Sequence, residues 1–167
     1  MRREPAEESL TAMSGGEPAK LLLVCSSGGH LAQLVAARSW WEQHERTWVT
    51  FDLPDARARL AGEVLVPAYS PTTRNIKNLI RNLGLAIRVM GRDRPDLVVS
   101  TGAAVAVPFF LVAKIMRVPR IYIEVFDRID SPTLSGRLCR PLSTVFCVQL
   151  ERQLDVYPGA TVIGPML

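Results

Sequence analysis

Three short polar stretches carry the residue types that handle phosphates, sugars and protons: Ser26–His30, Ser100–Ala103 and Glu124–Ser131. In the first, Ser27, Gly28, Gly29 and His30 follow an apolar run and precede a helix-compatible one. Paired glycines let the backbone approach a ligand closely. A helix starting beside them points free N–H groups and its positive dipole end at the same place, which suits a phosphate or diphosphate. His30 stands at the mouth of that turn, where an imidazole can exchange a proton near neutral pH. The alternative is a tight turn whose glycines satisfy backbone geometry and whose histidine caps the helix. The stretch lacks the GxGxxG of dinucleotide folds and the GK[ST] of a P-loop, which argues against NAD and ATP. No cofactor is expected.

Glu124 ends an otherwise apolar run, and Asp127, Arg128 and Asp130 follow within a turn's reach. A carboxylate there needs a partner. Either Arg128 pairs with it structurally, or Glu124 is a base or an acceptor of sugar hydroxyls beside His30. Ser100, Thr101 and Gly102 close a third apolar run.

These stretches fall at the ends of alternating strand and helix patterns. Leu21–Cys25 reads as a strand and Leu31–His44 as a helix, with apolar spacing at Leu31, Leu34, Val35 and Trp41. Trp40 and Trp41 adjoin on that helix, so one packs inward while its neighbour is partly exposed. Trp48–Phe51 and Val64–Val66 are short strands closed by Pro54 and Pro67, with a short helix over Asp55–Leu60 between them. Ile76–Met90 has the rhythm of one apolar stripe at Ile76, Leu79, Ile80, Leu83, Ile87 and Met90, with Gly84 weakening the helix and Gly91 ending it. Leu97–Val99 is a buried strand, Val107–Arg117 an apolar helix with Pro108 in its first turn, and Ile121–Val125 a further strand. A short helix over Leu134–Leu142 and strands at Thr144–Val148 and Thr161–Ile163 complete the order. Near-continuous apolar strands separated by helices predict an α/β, Rossmann-like, doubly wound parallel sheet, a single domain over 20–167. In such sheets the three polar stretches collect at the carboxyl ends of the strands.

The chain has 167 residues and a net charge of +4. Between residues 74 and 94, six cations oppose Asp93, a local +5 that leaves the remainder at −1. One basic segment, without an aromatic RNA-binding pattern, points to a local anionic partner and away from nucleic acid. Lys77, Arg81 and Arg88 beside the apolar stripe resemble an interfacial helix drawn to anionic headgroups; the other reading makes the stripe core and the charges a solvated face. Cys25, Cys139 and Cys147 form no CxxC pair and sit among apolar residues, so reduced thiols are expected, with neither a disulfide framework nor a metal site. Residues 1–19 lack the apolar core of a signal peptide and read as a flexible polar tail. The most apolar stretch, 103–116, is shorter than the ~20 residues of a spanning helix.

Four segments in order, LLVCSSGGHLAQL at 22–34, PDLVVSTG at 95–102, IYIEVFDR at 121–128 and YPGATVIGPML at 157–167, carry a resemblance. The chain resembles the membrane-associated subunit of the two-part eukaryotic N-acetylglucosaminyltransferase acting on dolichol-diphosphate-linked GlcNAc, and its bacterial relatives in capsule and exopolysaccharide synthesis. The resemblance runs from about Lys20 to Leu167. It implies the amino-terminal, acceptor-side half of a GT-B glycosyltransferase, with a separate donor-binding subunit holding the UDP-sugar and a polyprenyl-diphosphate-linked saccharide as acceptor. It further implies that Ser27, Gly28, Gly29 and His30 face the diphosphate, with His30 and Glu124 as catalytic candidates. Ser100, Thr101, Gly102, Asp127 and Arg128 would bind substrate, and the protein would sit peripherally on the cytoplasmic face of the membrane. A docking module that recruits the donor-binding subunit is the alternative. Two departures stand out. The polar residues 1–19 differ from the eukaryotic subunit's transmembrane helix, and Ser26 replaces the first glycine of the longer GGxGGH loop of the similar lipid II enzyme.

Overall fold

The computed structural model describes residues 18–167. The tail expected over 1–19 lies outside the described residues up to position 17. Seven parallel strands form one sheet: β1 Lys20–Cys25, β2 Glu45–Thr50, β3 Val64–Pro67, β4 Leu97–Gly102, β5 Arg120–Ile123, β6 Val145–Val148 and β7 Thr161–Val162. Their order is β3-β2-β1-β4-β5-β6-β7, the doubly wound arrangement expected. The helices are α1 Gly29–Ala36, α2 Arg38–Trp41, α3 Pro54–Arg59, α4 Ile76–Asp93, α5 Ala106–Ile115 and α6 Leu134–Cys139.

Both faces of the sheet are covered, and β1 shows why its sequence is apolar throughout. Successive strand side chains point to opposite faces. Leu22 and Val24 pack with Val89 and Met90 of α4 and Phe109 of α5. Leu21, Leu23 and Cys25 pack with Leu31 and Leu34 of α1, Trp41 of α2 and Ala56 of α3. Strand order reverses between β1 and β4, and a crevice opens outside the carboxyl ends of strands at such a point.

Three expectations change. The helix expected over 31–44 breaks at Ala37 into α1 and α2. The Trp41 indole donates to the Leu34 carbonyl at 2.8 Å and satisfies an acceptor that a continuous helix would have used. Helix α4 passes through Gly84 and Gly91 and ends at Arg94, whose left-handed backbone (φ 47°) lets its N–H reach the Met90 carbonyl. The stripe read along α4 also faces mostly outward, with Ile76 73%, Ile80 63% and Ile87 59% exposed. The buried face carries Leu85, Ala86, Val89 and Met90 together with Asn78 and Asn82. The two asparagines can be buried because backbone satisfies them. Asn82 accepts from the Tyr69 N–H at 2.9 Å and donates to the Tyr69 carbonyl at 3.0 Å, and Asn78 donates to the Pro71 carbonyl at 2.9 Å. Among the described residues no helix is long and apolar enough to cross a membrane.

Candidate active site

The turn after β1 is fixed at its first glycine. Gly28 has a φ of 76°, in the left-handed region, and its N–H donates to Asp55 on α3 at 2.9 Å. His30 follows in the first turn of α1. Its Nδ1 lies 2.7 Å from the Thr101 carbonyl, and the Thr101 hydroxyl donates back to the His30 carbonyl at 2.7 Å. A carbonyl can only accept, so the neutral ring carries its proton on Nδ1 and leaves Nε2 as an acceptor.

Ser100 and Thr101 are fully buried and act beneath the surface. The Ser100 hydroxyl accepts from the Gly102 N–H at 2.9 Å, holding a backbone with φ 115° that favours glycine. A Cβ at Gly102 would lie 2.8 Å from the Tyr122 hydroxyl and 3.1 Å from the His30 ring. The glycine thus leaves room for the imidazole.

Glu124 is fully buried. Its carboxylate accepts from the Tyr157 hydroxyl, from the Thr133 hydroxyl at 2.9 Å and from the Val125 N–H at 3.1 Å. The expected structural pair with Arg128 does not form. Arg128 is exposed on the loop after β5, and hydroxyls thirty-three and nine residues along the chain from Glu124 fill the partner role instead. Burial, and then the adjoining Glu124, push the Tyr157 phenol up to about 12, so it stays a hydrogen-bond donor at neutral pH. Thr133 also caps α6 by accepting from the Gly136 N–H at 2.8 Å. Glu124 therefore joins the end of β5, the start of α6 and Tyr157.

A second buried cluster ties α1 to this corner. Gln149, at the end of β6, donates to Gln33 at 2.5 Å and to the Glu124 carbonyl at 2.9 Å, while its own amide oxygen accepts from the Met166 N–H at 3.0 Å. Gln153 donates to the Val125 carbonyl at 2.8 Å and the Arg128 carbonyl at 3.2 Å. The loop carrying Asp127 and Arg128 is thereby pinned from below.

Above these supports lies a cleft of about 850 Å³. Gly29, His30, Asp127 and Arg128 line it; Ser27, Gly28, Ser100, Thr101, Gly102 and Glu124 are not part of the lining. Sequence reasoning missed Thr72, Thr73, Asn75, Ala104, Thr133 and Ser135, which also line it, together with Ala103 of the second polar stretch and Arg74 of the basic segment. The first turns of α1, α4 and α5 all border the cleft. Neither α1 nor α5 has a side-chain cap, so their N–H groups and dipoles favour an anion. Among the described residues no group of three or more His, Cys, Asp or Glu side chains suits a metal ion.

Comparison with known proteins fits this geometry. A family model described as "Oligosaccharide biosynthesis protein Alg14 like" matches residues 56–166, more than half of the chain. Over 136 residues the chain is 37% identical to the UDP-N-acetylglucosamine–N-acetylmuramyl-(pentapeptide) pyrophosphoryl-undecaprenol N-acetylglucosamine transferase of Roseiflexus sp. (strain RS-1), covering 80% of this chain and 27% of that protein. It is 32% identical over 79 residues to the UDP-N-acetylglucosamine transferase subunit ALG14 of Mus musculus, covering 44% and 36%. The chain thus spans less than half the length of these curated relatives. In fold it is similar to Acinetobacter baumannii MurG, with a TM-score of 0.74 at 16% identity over 90% of this chain and 46% of that one. It is also similar to the UDP-GlcNAc 2-epimerase of Neisseria meningitidis, with a TM-score of 0.63 at 16% identity over 87% of this chain and 46% of that one. The chain belongs to the Alg14-like family of oligosaccharide biosynthesis proteins.

Proposed function

We propose that this chain is the acceptor-side half of a split glycosyltransferase. With a separate donor-binding subunit it transfers a sugar from a UDP-sugar to a polyprenyl-diphosphate-linked saccharide at the cytoplasmic face of the membrane. The observation that carries this reading is the position of His30, on a cleft bordered by the first turns of three helices and lined also by Ile76 and Leu79 of the apolar stripe of α4.

The diphosphate lies against the Gly29 turn and Arg128, where N–H groups and a guanidinium meet its charge. Asp127 accepts hydrogen bonds from acceptor hydroxyls. His30 Nε2 takes the proton of the attacking hydroxyl as its oxygen bonds to the anomeric carbon. The bond from that carbon to UDP breaks, with inversion, and the departing diphosphate is stabilised by the donor-binding subunit. Glu124 is fully enclosed and acts as a positioning residue, through Thr133 and the wall of the cleft. Lys77, Arg81 and Arg88 flank the outward stripe of α4 and hold the protein to an anionic membrane.

The test begins with affinity purification of the chain from solubilised membranes of its host and identification of co-purifying proteins, expected to include a second Rossmann-like subunit. In that complex His30→Ala is expected to lower kcat by roughly 10²–10⁴-fold with little change in KM, the usual range for losing a general base. Undiminished turnover in a folded complex would remove His30 from the chemistry. A normal kcat with lost membrane or partner binding would leave the chain a docking module.

A further inference from the structure

Gln33 lines the cleft one turn along α1 from His30 and is only 4% exposed. Residues three apart on a helix share a face, so the two side chains are presented together. A nearly enclosed primary amide needs partners at both ends, because a polar group left unpaired away from water costs free energy. Gln33 is satisfied at one end only. Its amide oxygen accepts from Gln149 at 2.5 Å, while its amide nitrogen has no hydrogen-bond partner among the described residues.

Gln149 fixes which way that amide is turned. The Glu124 carbonyl can only accept and the Met166 N–H can only donate. Gln149 therefore directs its nitrogen to the Glu124 carbonyl, at 2.9 Å, and its oxygen to the Met166 N–H, at 3.0 Å. Its second N–H is left for Gln33, which must answer with an oxygen. Turning the Gln33 amide over would set two N–H₂ groups against each other. The network beneath the cleft thus commits Gln33 to a donor on its unpaired side, whereas the neutral His30 offers an acceptor at Nε2.

An uncharged donor held in this way suits an uncharged oxygen. The charge of a diphosphate is met at the first turn of α1, where helix N–H groups are free; at Gln33 they are spent within the helix. Gln33 lies four residues beyond Gly29, about 6 Å along the axis at a rise of ~1.5 Å per residue. We propose that Gln33 is a specificity-determining residue whose amide nitrogen donates to an uncharged oxygen of the acceptor saccharide, a hydroxyl or an acetamido carbonyl, beside the hydroxyl that His30 deprotonates. Gln149 is the positioning residue that keeps the donor side turned to the sugar. This rests on the saccharide acceptor proposed above and adds which protein group reads it. A site built to donate a hydrogen bond discriminates against an analogue without the matching oxygen.

The test follows the full chain by proton–nitrogen NMR during titration with glucose 1-phosphate, N-acetylglucosamine 1-phosphate and inorganic phosphate. Both sugar phosphates are expected to move the Gln33 side-chain amide signals together with the Gly29 backbone amide, and inorganic phosphate is expected to move Gly29 alone. A larger Gln33 shift with N-acetylglucosamine 1-phosphate assigns the contact to the acetamido carbonyl, and equal shifts assign it to a hydroxyl; either supports the proposal. Gln33→Met keeps the length of the side chain and removes the amide. It should weaken both sugar phosphates about tenfold and change inorganic phosphate by less than about twofold, with a thermal melt verifying its fold. The wild-type titration decides the matter whether or not that variant folds. A Gln33 amide unmoved by either sugar phosphate while Gly29 responds would overturn the assignment and leave the acceptor site standing. Gln33 signals that respond as strongly to inorganic phosphate would overturn it in favour of a phosphate contact, and sugar phosphates bound undiminished by Gln33→Met would overturn it as well. No response at Gly29 or Gln33 to any of the three would bring down the acceptor site and this inference together.

Discussion

Gly136 shows how closely the interior under the cleft is built. A Cβ there would meet a Glu124 carboxylate oxygen, the Tyr157 hydroxyl at 2.5 Å and Thr133 Oγ1 at 2.8 Å. These three oxygens are held by one another and by backbone, so none is a free side-chain end that can swing away. Gly136→Ala is therefore expected to cost about 1–3 kcal/mol of stability, an overpacking penalty. Thermal denaturation checks it, and an unchanged Tm would mean that the corner is looser than this packing. Tyr157→Phe removes the group that accepts from the Thr133 N–H at 3.0 Å and donates to Glu124, and leaves the buried Glu124 and the half-buried Thr133 N–H without that bond. A loss of about 1–3 kcal/mol follows, with kcat reduced as the Thr133–Ser135 wall shifts. That corner was only half legible in the sequence. Glu124 stood out because a carboxylate ended an apolar strand, but its partners, Tyr157 above all, are distant along the chain, and proximity alone pointed to Arg128.

Helix α4 is the element whose periodicity was plain and whose facing was not. A 3.6-residue rhythm places residues on one side but does not say whether that side meets the core or an interface. Ile76, Ile80 and Ile87 face outward, while Asn78 and Asn82 turn inward onto the loop at 69–71. Exposed isoleucines contribute little to folding, so Ile80→Ser with Ile87→Ser should leave Tm nearly unchanged. The same pair should lose binding to anionic vesicles in a sedimentation assay. Lys77→Glu with Arg88→Glu should release the protein as well, and added salt should mimic it, since the attraction fades beyond a Debye length of about 8 Å at 0.15 M. Val89→Ser, on the buried face, should do the opposite, lowering Tm by several degrees. Vesicle binding that survives both surface pairs would return α4 to a purely structural role.

At the scale of the whole molecule, the doubly wound parallel class followed from alternating apolar runs and turns, because a parallel strand buried on both faces has few polar positions to hide its pattern, whereas the strand order was not read from the sequence. What the sequence withheld were the long-range polar ties, Gln33 to Gln149 and Glu124 to Tyr157, since a hydrogen bond between distant residues leaves no periodic trace. The cysteines follow the legible part. All three are free and buried, and burial pushes Cys25 and Cys139 up to about 12 and Cys147 up to about 11. An unfolded thiol loses its proton near about 8.5, so between that pH and about 11–12 the unfolded chain binds fewer protons than the folded one. The stability contribution is thus complete below about pH 8 and declines as pH rises through the folded values. Native protein at pH 8 should show no thiol reacting quickly with a disulfide reagent and all three after denaturation, while Tm should fall steadily above pH 9. A fast-reacting thiol at pH 8 would place one of these cysteines in contact with solvent. A flat Tm from pH 9 to 11 would show that the folded thiols ionise with the unfolded ones and that burial does not hold their protons.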